Sequence, residues 1–326
     1  MSATPSSSND PAAAAAPTSG TDEAQRRERK TGLLLGMTSY LCWGVIPLYF
    51  ALLEPAGSIE IVAQRVVWSL LLCVILLFVV RGFRRTAVVL RKPKLFGVLA
   101  AASAFVAINW LGFIFGVQTH RVVEVSLGYF INPLFTVLLG VVFLKEKLNR
   151  LQWLAMAIGA LAVLVIAIGY GRAPWLSLLV AGSFGLYGLM KNRVGRTVDA
   201  VAGLSIETMI LSPIALGYLI WLEASGNGTF TSVSPGHTAL LIGLGVVTAV
   251  PLLLFSAAAR RVPLSWIGML QYIAPVMQFV FGITVFGEHM PLARWIGFCL
   301  VWSALVVLSI DMMTRSRRRP RPVAPA

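Results

Sequence analysis

Charge is scarce in this chain. Of its 326 residues only 12% are Asp, Glu, Lys or Arg, while 57% are hydrophobic. A water-soluble globular protein is typically about 25% charged, so a soluble fold of this size could not keep so much apolar surface out of solvent. Acidic residues are scarcer still, 13 against 27 Lys and Arg, for a net charge of +14. The three cysteines, Cys42, Cys73 and Cys299, all fall inside apolar stretches with no CxxC pair, which excludes a disulfide framework and reads as small buried hydrophobes. The three histidines, His120, His237 and His289, fall in expected outer connections, too dispersed for a metal centre. No GxxxxGK[ST] phosphate loop exists. No nucleophile–base pair or ligand set is visible, and the segment 223–237 has no room for an enzyme domain. We therefore expect no enzyme, no cofactor and no metal.

What the chain does have is long apolar runs. A helix needs about 20 mostly apolar residues to cross the hydrocarbon core of a bilayer. Ten stretches qualify: 32–53, 61–80, 95–117, 122–144, 151–170, 174–190, 200–222, 238–258, 262–286 and 293–313. The expectation is an all-α integral membrane protein with ten transmembrane helices. Residues 1–31 lack an apolar run and read as a disordered cytoplasmic tail, and 314–326 as a basic cytoplasmic tail. The first apolar stretch has no small-residue cleavage site behind it, so it reads as a span rather than a leader.

The positive charge sits in short runs between the apolar stretches, which speaks for topology and against a nucleic-acid partner. With the N-terminus in the cytoplasm, 23 of the 27 Lys and Arg fall on the inside; the outer connections hold Arg121, Arg172 and Arg294, and Arg65 lies within a span. The positive-inside rule thus places both termini in the cytoplasm of a cell membrane.

The chain also resembles itself. At an offset of 142 positions Pro133 meets Pro275, Gly140 meets Gly282, Glu146 meets Glu288 and Trp153 meets Trp295. At an offset of 144, Ser39, Trp43 and Gly44 parallel Ser183, Tyr187 and Gly188. Five spans per half is an odd number, so the halves, 32–170 and 171–313, must be inverted relative to each other. Inverted repeats are a design of secondary transporters, with the substrate site near the midplane where the repeats meet.

Polar residues inside the spans are the candidate site. Asn132-Pro133 and Gln271-Tyr272, the latter followed by Pro275, lie near mid-membrane at matching places of the two halves. Pro133 and Pro275 are expected to interrupt their helices and free backbone groups for a cavity, unless a neighbouring helix satisfies a simple kink. Asn109-Trp110 in the third span, Tyr129 in the fourth, and Trp43 and Tyr187 in equivalent places of the two halves are candidate cavity walls; core packing explains these aromatics equally well. Three ionisable residues lie within spans: Arg65, Glu124 and Glu207. Such residues mark functional sites by default, with structural ion pairing as the alternative. By depth, Arg65 is expected to pair with Glu124, and Glu207 with Lys191, Arg193 or a hydroxyl near the inner face. A carboxylate left without a cation there could carry a proton.

The segment VEVSLGYFINP (123–133) closely resembles the SLGYFINP segment of the RarD proteins, in the EamA branch of the drug/metabolite transporter superfamily. FGLYGLM (184–190), TAVPLLLF (248–255) and LQYIAP (270–275) support it, and the likeness spans about residues 32–313. Small departures, at Met190-Lys191-Asn192 and at Ala274, leave it intact. The resemblance implies two EamA-like five-helix repeats around a central cavity, with the fifth and tenth spans peripheral. It also implies export of a small metabolite or drug. A passive channel or uniporter, or a membrane sensor, is the alternative. The expected partners are a small-molecule substrate and the lipid bilayer, with a homodimer as a candidate assembly.

Overall fold

The computed structural model describes residues 19–171, 173–194, 198 and 200–318, and among them there are helices and no strand. In chain order these are α1 (Ser19–Ala51), α2 (Ser58–Val79), α3 (Phe83–Leu90), α4 (Pro93–Gln118), α5 (Val122–Leu144) and α6 (Arg150–Tyr170). The second half holds α7 (Trp175–Val194), α8 (Ala200–Ala224), α9 (Pro235–Ala259), α10 (Leu264–Leu270), α11 (Ile273–Thr284) and α12 (Leu292–Arg318). Local chemistry sets several boundaries. Asn149 and Gln152 exchange side-chain and backbone hydrogen bonds in a capping box at the start of α6. Pro93 and Pro235 occupy first turns, where a missing N–H costs nothing. Large apolar side chains such as Ile168, Ile214, Ile220 and Leu292 face outward, as lipid-facing residues would.

Nine helical stretches among the described residues are long and apolar enough to cross a membrane. Helix α7 is not one of them. Its sequence mixes Leu and Val with Ser177, Gly182, Ser183, Gly185, Gly188 and three polar residues in the last turn. Those small residues let it lie against α4 and α5: a Cβ on Gly128 would stand 2.7 Å from the carbonyl oxygen of Ser177.

Helix packing respects the duplication. Three pairs of equivalent helices lie against each other: α2 with α8, α5 with α11, and α6 with α12. Each pair runs antiparallel. At the start of α2, Glu60 receives hydrogen bonds from Thr229 beyond the end of α8. At the start of α5, Val123 donates to Glu288 beyond the end of α11. Gly169 near the end of α6 abuts Ala293 at the start of α12, while Asn149 before α6 donates to Asp311 near the end of α12. Two further sets of contacts exchange under the same swap: α5 meets α7 as α11 meets α1, and α4 meets α7 as α9 meets α1. One apolar core lies between α5, α6, α11 and α12 around Phe130, Phe279 and Phe298. Another joins α1, α2, α4, α5, α7 and α9 around Phe50, Ile114 and Leu176.

Four features of the structure depart from the sequence reading or add to it. Residues 19–31, read as disordered tail, are helical and continuous with the first span; Ala, Gln, Glu, Arg and Lys are strong helix formers and extend a helix the membrane segment has already nucleated. Residues 1–18 and 319–326 lie outside the described residues. The connection 81–94 contains a helix of its own, α3, whose Thr86 and Val89 are buried. His237, expected in a loop, lies in the first turn of α9, buried and 3.0 Å from the carbonyl oxygen of Leu53. The prolines do not interrupt their helices: α5 runs unbroken through Pro133, and Pro275 sits in the first turn of α11. The break in the ninth stretch falls earlier, at Gln271-Tyr272, and both residues keep right-handed helical torsions.

Candidate functional site

Arg65 lies seven residues into α2, about 10 Å from its N-terminal end at ~1.5 Å per residue. It is 7% exposed. The expected pairing with Glu124 does not occur. Its Nε donates to Thr248 Oγ1 of α9 at 2.9 Å. The guanidinium stacks 4.2 Å from the ring centroid of Trp110 on α4 and lies 5.7 Å from that of Phe50 on α1. Tyr129 of α5 is close enough to interact with it electrostatically.

Glu124 is engaged elsewhere for a local reason. It stands in the first turn of α5, three residues after Arg121, which grips one carboxylate oxygen through Nη2 at 2.6 Å and Nε at 3.0 Å. Its other oxygen accepts the Leu176 amide at 3.3 Å, an orphan N–H in the first turn of α7. Glu124 thus joins two helix starts, where the helix dipole favours negative charge.

Three sequence-derived candidates converge beside Arg65. Asn109 is 2% exposed; its amide donates to the Val180 carbonyl at 3.1 Å and to Ser183 Oγ at 3.2 Å, both on α7. Its carbonyl accepts from Tyr129 Oη at 3.1 Å. Trp110 follows it and carries the Arg65 stack. Tyr129 meets Phe113 and Phe184 through its ring. Phe184 in turn meets Tyr187, so an aromatic chain leads inward.

At the far end of this aromatic chain Tyr187 donates to Glu207 at 3.3 Å, and Lys191 Nζ reaches the same carboxylate at 2.8 Å. Glu207 is buried and Lys191 is partly exposed. Glu124 and Glu207 therefore each have a cation within hydrogen-bond reach. The condition for a proton carrier, a carboxylate without a cation, is met by neither.

The other candidates disperse. Asn132 is partly buried along the α5–α7 contact beside Gly185, and its carbonyl oxygen is buried with no hydrogen-bond partner. Trp43 packs with Tyr40 and Phe255, and its backbone carbonyl accepts from Gln278. Gln271 and Tyr272 are partly buried at the α10–α11 joint, and Tyr272 turns to the peripheral core with α12. Two small cavities lie off this axis: one between Val123, Leu127, Ile166 and Phe298, the other between Cys73, Leu204 and Leu252.

Thr248, Phe50 and Ser183 belong to the cluster and escaped the sequence reading. Small hydroxyl residues and phenylalanines are too common in apolar helices to stand out. A clue existed in Thr248, which falls in the TAVPLLLF stretch.

Comparison with known proteins sets this geometry in context. The model of the EamA-like transporter family matches the chain twice, over residues 30–168 and 172–310. The matches start 142 positions apart, at 30 and at 172. The chain is 47% identical over 291 residues to "Protein RarD" of Streptomyces exfoliatus, covering 89% of this chain and 92% of that one. It is 41% identical over 297 residues to "Uncharacterized transporter YojE" of Bacillus subtilis, covering 90% and 98%. A solved crystal structure, 18% identical, superimposes with a TM-score of 0.53 over 87% of this chain and 98% of its own, a likeness of fold alone.

Proposed function

The chain belongs to the EamA-like transporter family, within its RarD group, and on that footing we propose a secondary carrier that exports a small organic metabolite or drug by alternating access. The chain is a multi-pass membrane transporter by family, and relatives named as transporters fit a protein that is not an enzyme. The finer reading has ten spans, with α7 as the sixth, arranged as two inverted five-helix repeats. Both ends face the cytoplasm, as the positive charge in the inner connections favours.

One observation carries this reading: equivalent helices of the two halves pair antiparallel, α2 with α8, α5 with α11 and α6 with α12. Helices related by a duplication run in opposite directions only if one half is upside down. A protein of two nearly equivalent, oppositely directed halves has two arrangements related by a pseudo-two-fold axis in the membrane plane, one open to each side. The substrate site is proposed at Arg65, Asn109, Trp110 and Tyr129, where α2, α4 and α5 meet α7 and α9, with Asn132, three residues beyond Tyr129 on α5, as its outlying member.

The outer end supports a carrier over an open pore. Glu60, Glu288 and Gln118 tie connections to neighbouring helices there, Gln118 through a hydrogen bond to the Ala56 carbonyl. Reconstitution into liposomes tests the proposal. A panel of labelled metabolites should include one whose flux saturates and is accelerated by unlabelled compound on the opposite side. Flux that stays linear with concentration and shows no counterflow would mean a channel instead.

A further inference from the structure

Of the three ionisable residues that stood out within the spans, Arg65 differs from the other two. Glu207 has Lys191 at 2.8 Å and Glu124 has Arg121 at 2.6 Å. Arg65 has no acidic partner among the described residues. The offset of 142 makes Glu207 its equivalent in the second half, so one half carries a balanced pair and the other an unbalanced cation. A membrane-buried charge without a counter-ion is costly, and stacking on Trp110 offsets that only in part.

The geometry of the guanidinium is informative. Thr248 takes its Nε–H and Trp110 covers one face. The two terminal nitrogens, which together carry four N–H donors, make no hydrogen bond to a described residue. They form the edge that receives a carboxylate or a phosphate side-on through two parallel hydrogen bonds. Phe50 and Trp110 stand beside it, and Tyr129 lies within electrostatic range. The surroundings therefore join one anion-binding edge to aromatic walls, with no second cation among the described residues to hold a multiply charged ligand.

We propose that Arg65 is the recognition residue of the transport site and that the transported molecule is a small organic anion, with one carboxylate or phosphate on an apolar or aromatic body. The anion completes the ion pair that the protein leaves open, and the body lies against Trp110 and Phe50. This proposal rests on the carrier reading above, which leaves the substrate class open.

The test uses the purified full-length chain in detergent and four probes of similar shape: benzoate, phenyl phosphate, benzamide and benzylammonium. Thermal unfolding is followed against probe concentration. Benzoate or phenyl phosphate should raise the unfolding midpoint saturably, while benzamide and benzylammonium leave it unchanged; which of the two anions acts distinguishes carboxylate from phosphate chemistry. Arg65→Gln should abolish the response. Should that variant not fold, Arg65→Lys decides. It keeps the charge and loses the fork, so the preference for the anion should survive with affinity weakened roughly tenfold. The proposal is overturned if none of the four probes acts, if benzamide or benzylammonium stabilises as well as benzoate, or if Arg65→Lys responds like the unaltered chain. The two readings fail separately. Anion-selective binding without saturable exchange in liposomes would remove the carrier, whereas saturable exchange indifferent to charge would remove the anion.

Discussion

Glu288 accepts a hydrogen bond from the backbone amide of Val123 at 2.9 Å, joining the loop after α11 to the first turn of α5. The contact explains part of the repeated P-x6-G-x5-E-x6-W pattern. In both halves the glutamate amide turns back to the carbonyl of the glycine six residues earlier, Glu146 to Gly140 at 3.2 Å and Glu288 to Gly282 at 2.9 Å. Both side chains fold over their glycines, where a Cβ would collide with or press on the carboxylate. The motif is a helix-ending turn used twice. Glu288 is built into the joint between α11 and the start of α5, and Glu146 is exposed.

Burial pushes the Glu288 carboxyl up to about 7, against the Val123 amide and Arg294, which favour its charged form; Glu124 adds to the upward push. Because the folded value lies above the unfolded one, the folded protein holds a proton that the unfolded chain has lost between about pH 4.5 and 7. Stability should fall as pH rises through that window, by about 3 kcal/mol for this group, and level off above it. Glu288→Gln keeps the acceptor for Val123 and should flatten the slope. Unfolding midpoints of the detergent-solubilised protein across the window check this; an unchanged slope in the variant would assign the titration to another group.

Glu207 should behave as the structural partner of Lys191. Lys191→Met strands a buried carboxylate and should cost about 1–3 kcal/mol, below the usual figure for a fully buried pair because Lys191 is partly exposed. The double change Lys191→Met with Glu207→Leu should recover most of the loss. Glu207→Gln should leave any pH dependence of transport in place. Loss of that dependence would restore Glu207 as a proton carrier.

Asn132 separates binding from stability. Its carbonyl oxygen is buried with no partner, so the protein gains little by keeping it. Asn132→Ala should change stability by less than about 1 kcal/mol while weakening transport of the identified substrate. Equal transport by the variant would remove Asn132 from the site.

Gly128→Ala tests the close approach of α5 and α7. A methyl group there would meet the Ser177 carbonyl at 2.7 Å, a backbone atom that cannot turn aside, and should cost about 1–3 kcal/mol. Gly217→Ala in α8, where nothing lies within 4 Å, should be neutral or slightly stabilising. Thermal unfolding of both variants makes the comparison.

Asn109, Trp110 and Tyr129 stood out in the sequence because an amide and two polar aromatics are expensive in hydrocarbon, and a residue that costs so much to bury signals a role. Arg65 and Glu207 announced themselves for the same reason. Their partners were not legible. Depth along the membrane normal is one coordinate, and it put Arg65 and Glu124 at similar levels. The side-to-side placement of α2 and α5, which keeps them apart, arises from packing. Pro133 misled in a similar way: its missing N–H suggests a broken helix, yet α5 continues through it, and α7, α4 and α11 pack along its length.

Apolar run length, charge placement and the 142-residue offset, all contained in the amino-acid order, determined that this chain lies in a bilayer, that it is a doubled unit and which residues are costly to bury there. Each is a local or periodic property of the chain, set by transfer from water to lipid. Tertiary packing alone decided which of those residues meet. It gave Glu124 to Arg121 and the start of α7, gave Glu207 to Lys191 and Tyr187, and set Arg65 against Trp110 and Thr248 without an acid. That last outcome depends on how six helices stack side by side, which no spacing along a single helix records.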